Sequence, residues 1–227
     1  MSIKILWPWE LPQTLNGIAV VTDVYAATTN IATFLARGVK KLIIVSEKNI
    51  SQARKKFKDV LVVGDKFPKH FFDVSNLPHD IEKVVVEGKT ILYTTANGAQ
   101  VIRMAMKKGA HQTLAVSFLN INSIAAYLKS SKPKNIFIIP AGEISRPCQE
   151  DLICAQTLKD ILQGKKINWK KTLKSAEKFI RSFYQPKYNQ VDFKIMFNPN
   201  KYKVIPSCLL IKNGLITVKD ASKNPPK

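Results

Sequence analysis

IAVVTDVYAATTNIATFLARG, the stretch from Ile18 to Gly38, changes its periodicity part-way along. Ile18, Val20 and Val21 belong to an apolar, β-branched run too short for a helix, and Asp23 stands where that run gives out. Ile31, Phe34 and Leu35 then recur at helical spacing, and Gly38 supplies the expected stop. The stretch predicts strand, loop, helix. In open α/β sheets ligands bind at the carboxyl ends of strands, and a helix N-terminus just beyond offers unpaired N–H groups and a positive dipole end. A carboxylate at Asp23 can hold a divalent cation there, while Thr28, Thr29 and Asn30 hold a phosphate. A plainer reading uses the same residues: one of the three caps the helix, and Asp23 is an ordinary loop acid.

Working outward, Lys41–Val45 reads as a second buried strand, Ile50–Phe57 as a basic surface helix, and Asp59–Val63 as a third strand ending in Gly64-Asp65-Lys66. Between Phe67 and Asp80 the periodicity fades and Pro68, His70, Asp73, Asn76, Pro78 and His79 gather; this is a lid, a substrate clamp or a plain surface excursion. The two histidines lack metal-ligand spacing and receive no role. A helical turn around Ile81–Val86 leads to a strand at Thr90–Thr95, a turn at Ala96-Asn97-Gly98 and a helix at Ala99–Lys107. The next units are a strand at Thr113–Val116, Ser117 and Asn120 at the switch, a helix at Asn122–Leu128, and a strand at Asn135–Ile139. Glu150-Asp151 then heads the helix Leu152–Leu162, where acids in a first turn stabilise the dipole by about 0.3–1 kcal/mol. Trp169–Tyr184 is a helix with a basic outer face. Tyr202–Ile205 and Leu209–Val218 read as terminal strands, the latter turning at Asn213-Gly214. The tail from Asp220 is expected to fray.

At least five strands alternating with helices call for a three-layer α/β fold, a mainly parallel sheet with helices on both faces. Residues 1–219 are read as one domain. By the parallel-strand rule, Asp23 with Thr28, Asp65, Asn97, Ser117 and Glu143 all fall on one rim, and their recurrence marks that rim as a site.

The formal charge of +20 ordinarily raises the prior for nucleic acid or acidic membrane. Its make-up argues otherwise. The arginines are only Arg37, Arg54, Arg103, Arg146 and Arg181, so lysine supplies nearly all the excess, as on a solvated surface. No aromatic-interleaved basic cluster occurs, which argues against nucleic acid without excluding it. Cys148, Cys154 and Cys208 form no CxxC pair, which disfavours a disulfide framework or a zinc site and makes a reducing cytoplasm the simplest compartment. The N-terminus is no convincing signal peptide, no apolar run approaches the roughly 20 residues that span a bilayer, and a homodimer stays open.

The rim segments, in their order, resemble the 2-phosphosulfolactate phosphatase family of magnesium-dependent phosphatases. The family's D-V/M-L-R-A-T-[ST] loop is matched by Asp23-Val24-Tyr25-Ala26-Ala27-Thr28-Thr29. Its G-E-R segment and G-F-D-x-x-N-S-P loop are matched by Gly64-Asp65-Lys66 and Phe72-Asp73-Val74-Ser75-Asn76-Leu77-Pro78. T-T-x-N-G-T-R is matched by Thr94-Thr95-Ala96-Asn97-Gly98-Ala99-Gln100, and S-F-L-N by Ser117-Phe118-Leu119-Asn120. Ala141-Gly142 and Glu150-Asp151-Leu152-Ile153-Cys154 complete the series.

The resemblance implies Mg²⁺-dependent hydrolysis of a small phosphate ester, 2-phospho-3-sulfolactate going to 3-sulfolactate and phosphate. It implies Asp23 and one of Glu150 or Asp151 as metal ligands, with Asp23, Asp65 and Glu150 in catalysis and Asp65 orienting the attacking water. Thr28, Thr29, Asn30, Lys66, Asp73, Asn76, Asn97, Gly98, Ser117 and Asn120 are the implied substrate contacts. The D-x-D-x-T arrangement of aspartyl-phosphate enzymes is missing, because Tyr25 occupies the second acidic position. Ala26 and Gln100 stand where the family has arginine, Lys66 replaces a third, and Asp65 is a methylene shorter than the family glutamate. A divergent member acting on a less anionic ester, or a weakened one that binds anions or nucleic acid, is the alternative.

Overall fold

The computed structural model of the chain describes residues 1–64, 72–143, 146–183, 190–211 and 214–223. Strand β2 (Ile18–Thr22) is buried at every position, as an apolar strand covered on both faces must be. Strand β1 (Ser2–Ile5) precedes it. After it come α1 (Ala27–Ala36), β3 (Lys41–Ile44), α2 (Ile50–Lys56), β4 (Val60–Gly64), β5 (Val74–Ser75), α3 (Pro78–Glu82), β6 (Thr90–Tyr93) and α4 (Gly98–Lys107). The second half holds β7 (Gln112–Val116), α5 (Ile121–Ser131), β8 (Asn135–Pro140), α6 (Gln149–Leu162), α7 (Trp169–Phe183), α8 (Gln190–Met196), β9 (Pro206–Leu210) and β10 (Ile216–Asp220).

Alternation along the strands builds the three layers. From β2, Ala19 and Val21 join one apolar cluster with Ile31 and Phe34 of α1 and Ile102 of α4; Ile18 and Val20 join another with Ile124 of α5 and Leu158 of α6. Strand β8 divides in the same way, Phe137 and Ile139 to the first cluster, Ile136 and Ile138 to the second. Further along the sheet, Ile43 and Val45 pack with Ile50 and Ala53 of α2. Helices therefore cover both faces of a mostly parallel sheet.

The ten strands run in the order β1-β8-β2-β7-β9-β10-β3-β6-β4-β5. Strands β1, β8, β2 and β7 are mutually parallel, and so are β3, β6, β4 and β5. Between them, β7–β9, β9–β10 and β10–β3 are antiparallel. Three reversals leave the two parallel groups running in opposite senses, so the expected single rim of strand ends is corrected. What unites the halves is helix placement. Helix α1, leaving β2, contacts β3, β9 and β10, while α4, leaving β6, contacts β2 and β7. Both lie on the shared face and touch each other.

Other differences are local. Tyr202–Ile205 is not a strand: the Tyr202 N–H bonds Leu119 O and Val204 O accepts from Asn120, so a loop rather than a ladder satisfies it. Helix α3 starts at Pro78, whose fixed φ suits a first helical position, rather than at Ile81. The terminal hairpin is β9–β10; Gly214 has φ +71°, and Asn213 lies outside the described residues. Asp220 ends β10 with its carboxylate accepting the Ile205 N–H, and 224–227 lie outside the described residues. All three cysteines are buried and unbridged. Among the described residues no helix is long and apolar enough to cross a membrane.

Candidate active site

Asp23 follows β2 and is only 6% exposed. Its Oδ1 accepts the Ala27 N–H at 3.1 Å, so the carboxylate caps the first turn of α1, where a negative charge is favoured. Thr28 Oγ1 accepts the Asp23 N–H at 3.0 Å and donates to Asp23 O at 2.8 Å; Thr29 Oγ1 donates to Val24 O at 2.8 Å. Both hydroxyl protons thus close the loop from within. Asn30 spends its amide protons on Asn76 O at 2.7 Å and Tyr93 Oη at 3.1 Å, fastening α1 to the ends of β5 and β6.

Glu150 and Asp151 open α6 and are both buried. Asp151 Oδ1 accepts the Val24 N–H at 2.7 Å and Oδ2 the Gly142 N–H at 3.0 Å, tying the ends of β2 and β8 to α6. Gly142 sits at φ +67°, and a Cβ there would lie 2.3 Å from Arg146 O, so only glycine brings that amide into place. Burial, then the charges of Glu150 and Asp23, push the Asp151 carboxyl well above the usual carboxylate range, and the two amides offset only part of this. The α4 N-terminus closes the other side. A Cβ on Gly98 would lie 2.6 Å from Ala27 Cβ and 2.7 Å from Asp23 Oδ2, so glycine is what admits the contact.

Asp23, Glu150 and Asp151 are buried hard oxygen donors, a donor set whose chemistry would suit a hard divalent cation such as Mg²⁺. Among the described residues no three His, Cys, Asp or Glu side chains gather tightly enough to hold an ion by themselves.

The remaining expected residues divide. Asp23, Thr28, Thr29, Asn30, Gly98, Glu150 and Asp151 come together, and Asn97 is the N-cap residue of α4. Asn76 meets Asn30 through its carbonyl. Asp73 is instead occupied by Arg54 at 2.6 Å and the Val62 N–H at 2.8 Å, which holds the segment after the loop against β4. Asn120 accepts the Ser117 N–H and donates to Ala115 O and Val204 O, while Ser117 Oγ accepts the Leu119 N–H. These two build a buried cap. Asp65, Lys66 and the first part of the expected lid lie outside the described residues.

Three residues at this site escaped the sequence reading. Asp192 of α8, fully buried, accepts the His79 N–H at 2.8 Å and meets His79 Nδ1 at 2.9 Å. Burial, then the charge of the same Asp192, push the Tyr25 phenol up to about 12. His79 and Asp192 are 113 residues apart, and no local pattern signals such a pairing.

The sequence profile of 2-phosphosulpholactate phosphatase matches residues 6–203. The chain belongs to the 2-phosphosulpholactate phosphatase family. A family relative in Thermotoga petrophila, named probable 2-phosphosulfolactate phosphatase, is 40% identical over 141 residues, covering 60% of this chain and 59% of that one. Proteins of the same name in Thermoplasma volcanium and Clostridium perfringens are 31% identical over 156 residues and 30% over 174, covering 66% and 73% of this chain and 70% and 69% of theirs. The match thus spans less than two thirds of the Thermotoga relative's length. At the two places where this chain lacks the family arginines, Ala26 is buried at the α1 N-cap and Gln100 is exposed on α4.

Proposed function

We propose that the chain hydrolyses a small phosphate monoester with Mg²⁺, and that 2-phospho-3-sulfolactate, giving 3-sulfolactate and phosphate, is the first substrate to test. The carrying observation is the burial of Asp23, Glu150 and Asp151 within one electrostatic neighbourhood, beside the N-termini of α1 and α4. Phosphate monoesters hydrolyse extremely slowly unaided, and concentrated positive charge around the transferring group is what a catalyst must provide. In this reading Asp23 and one of Glu150 or Asp151 hold the ion, directly or through water. The amides opening α1 and α4, with the Asn97-Gly98 turn, receive phosphoryl oxygens. Asp65 orients the attacking water, and Lys66 adds charge. When bound, Mg²⁺ supplies Lewis-acid stabilisation of the phosphoryl oxygens. A reducing cytoplasm suits the three unbridged cysteines.

A second reading is favoured by Ala26 and Gln100. A substrate with phosphate, sulfonate and carboxylate carries about four negative charges near neutral pH. Two missing charged hydrogen bonds, each contributing roughly 1.5–3 kcal/mol, favour a less anionic ester. Phosphate release from a panel of small esters, with Mg²⁺ and with EDTA, tests both. EDTA-sensitive turnover lowered at least about 100-fold by Asp23→Asn supports the phosphatase, and the preferred ester chooses between the readings. No turnover on any ester, beside salt-sensitive binding to nucleic acid, would leave a weakened anion binder.

A further inference from the structure

The chain leaves β1 at the end of the sheet that carries the acids. Ile5 pairs with Ile138 of β8, the Leu6 N–H bonds Ile138 O at 3.1 Å, and Thr22 of β2 lies level with Pro140. Because these three strands are parallel, Trp7 emerges at the same end as Asp23, two strands away, or about 10 Å at the usual strand spacing. Gly142 stands between them. Its N–H bonds Asp151 Oδ2, while a Cβ in its place would lie 3.6 Å from Trp7 Cζ3. One residue thus touches both the acid and the indole.

Trp7 carries a second indole. The rings of Trp7 and Trp9 stack with centroids 5.3 Å apart and planes 3° from parallel. The turn that joins them is locked at both ends: the Trp7 N–H donates to Glu10 Oε2 at 2.8 Å, the Glu10 N–H returns to Trp7 O at 2.9 Å, and Pro8 fixes its own φ between them. Lys108 Nζ then donates to Pro12 O at 2.8 Å and ties the following segment to the end of α4. Trp9 is nonetheless 48% exposed. A rigid indole pair held out of the core has lost its conformational freedom before any ligand arrives, which is what a stacking surface for a planar group requires. Ala26 and Gln100, neutral where the family has arginine, suit an ester whose organic part is recognised by apolar contact.

We propose that the Trp7–Trp9 stack is a subsite for a planar aromatic group of the substrate, so that the chain prefers aryl-bearing phosphate monoesters to short alkyl ones. Its kinetic test rests on the phosphatase reading, and its binding test does not. Benzyl phosphate and ethyl phosphate have leaving alcohols of similar acidity and differ in the ring. In the full chain with Mg²⁺, the KM for benzyl phosphate is expected to lie about tenfold below that for ethyl phosphate. Trp9→Ala should shrink the ratio to about twofold, and Trp9→Phe, which keeps a ring, should retain most of it. Trp9 is half-exposed, so neither change disturbs the core. Calorimetric titration with benzylphosphonate and ethylphosphonate, which are not hydrolysed, should give the same tenfold ratio in Kd and the same collapse in Trp9→Ala. Equal or absent binding of the two phosphonates by the parent chain, or a ratio unaltered by Trp9→Ala, would overturn the assignment. So would a parent dimer that Trp9→Ala converts to a monomer while the ratio stands, since a second copy then covers the indole. Should the parent turn over neither ester yet bind benzylphosphonate the more tightly, the phosphatase reading fails alone and the subsite stands.

Discussion

Burial and the nearness of Glu150 and Asp23 hold the Asp151 carboxyl well above its usual value of 3.8. Between that value and the raised one, the folded chain without a cation binds more protons than the unfolded chain, so its stability falls as pH rises through the window. A divalent cation reverses that loss only where the carboxylates are ionised. At a hundredfold excess over its Kd, Mg²⁺ adds about 2.7 kcal/mol, and each kcal/mol moves Tm by about 2–4 °C for a chain of this size. Thermal unfolding at pH 7.5 should therefore show a rise of about 5–10 °C with Mg²⁺, shrinking toward zero at pH 4.5; equal shifts at both would contradict it. At this scale the sequence was legible where chemistry was local. Asp23, Gly98, Glu150 and Asp151 all stand where a strand ends or a helix begins. Ser117 and Asn120 stand there too and build a cap, a use of the same residue types that sequence alone does not distinguish from ligand binding. Tyr25, His79 and Asp192 were illegible because their partners are distant in sequence.

The described part of the Phe67–Asp80 segment, which the sequence offered as a lid, a clamp or a surface excursion, is fastened together with the helical turn that follows it. Asn30 grips Asn76 O at one end, and Arg37 donates to Ile81 O at 2.7 Å and Val84 O at 2.8 Å at the other. Arg37→Ala removes both bonds and leaves two carbonyls without this donor. The expected loss is about 1–3 kcal/mol of stability in denaturant unfolding, with faster amide exchange in α3 than in β2. An unchanged midpoint would mean that α3 is held by its other contacts, the His79–Asp192 and Ser75–Asp80 hydrogen bonds among them. Most elements were legible because β-branched runs and helical spacing alternate cleanly up to α6. Strands β1 and β5 and helix α8 were missed as short pieces whose formation depends on tertiary contact. The relative direction of the two parallel groups was hidden as well, since the hairpin that reverses it comes after all the strands it separates.

Across the whole molecule, 36 lysines and arginines oppose 16 aspartates and glutamates, and a net charge of +20 repels itself in the compact state. Raising NaCl from low to about 0.5 M shortens the Debye length well below 10 Å and should raise Tm by a few degrees. A falling Tm would show that the surface ion pairs, such as Lys83–Asp80 and Lys165–Asp160, outweigh the repulsion. Against that excess, the buried grouping of Asp23, Glu150 and Asp151 is the feature on which the functional reading turns. Anomalous diffraction from crystals grown with Mn²⁺ in place of Mg²⁺ addresses it directly. A single strong peak bonded to the Asp23 carboxylate, within water-bridged reach of Glu150 or Asp151 and beside Gly98, is expected. A lysine ammonium seated among the three acids, with no peak there, would contradict it.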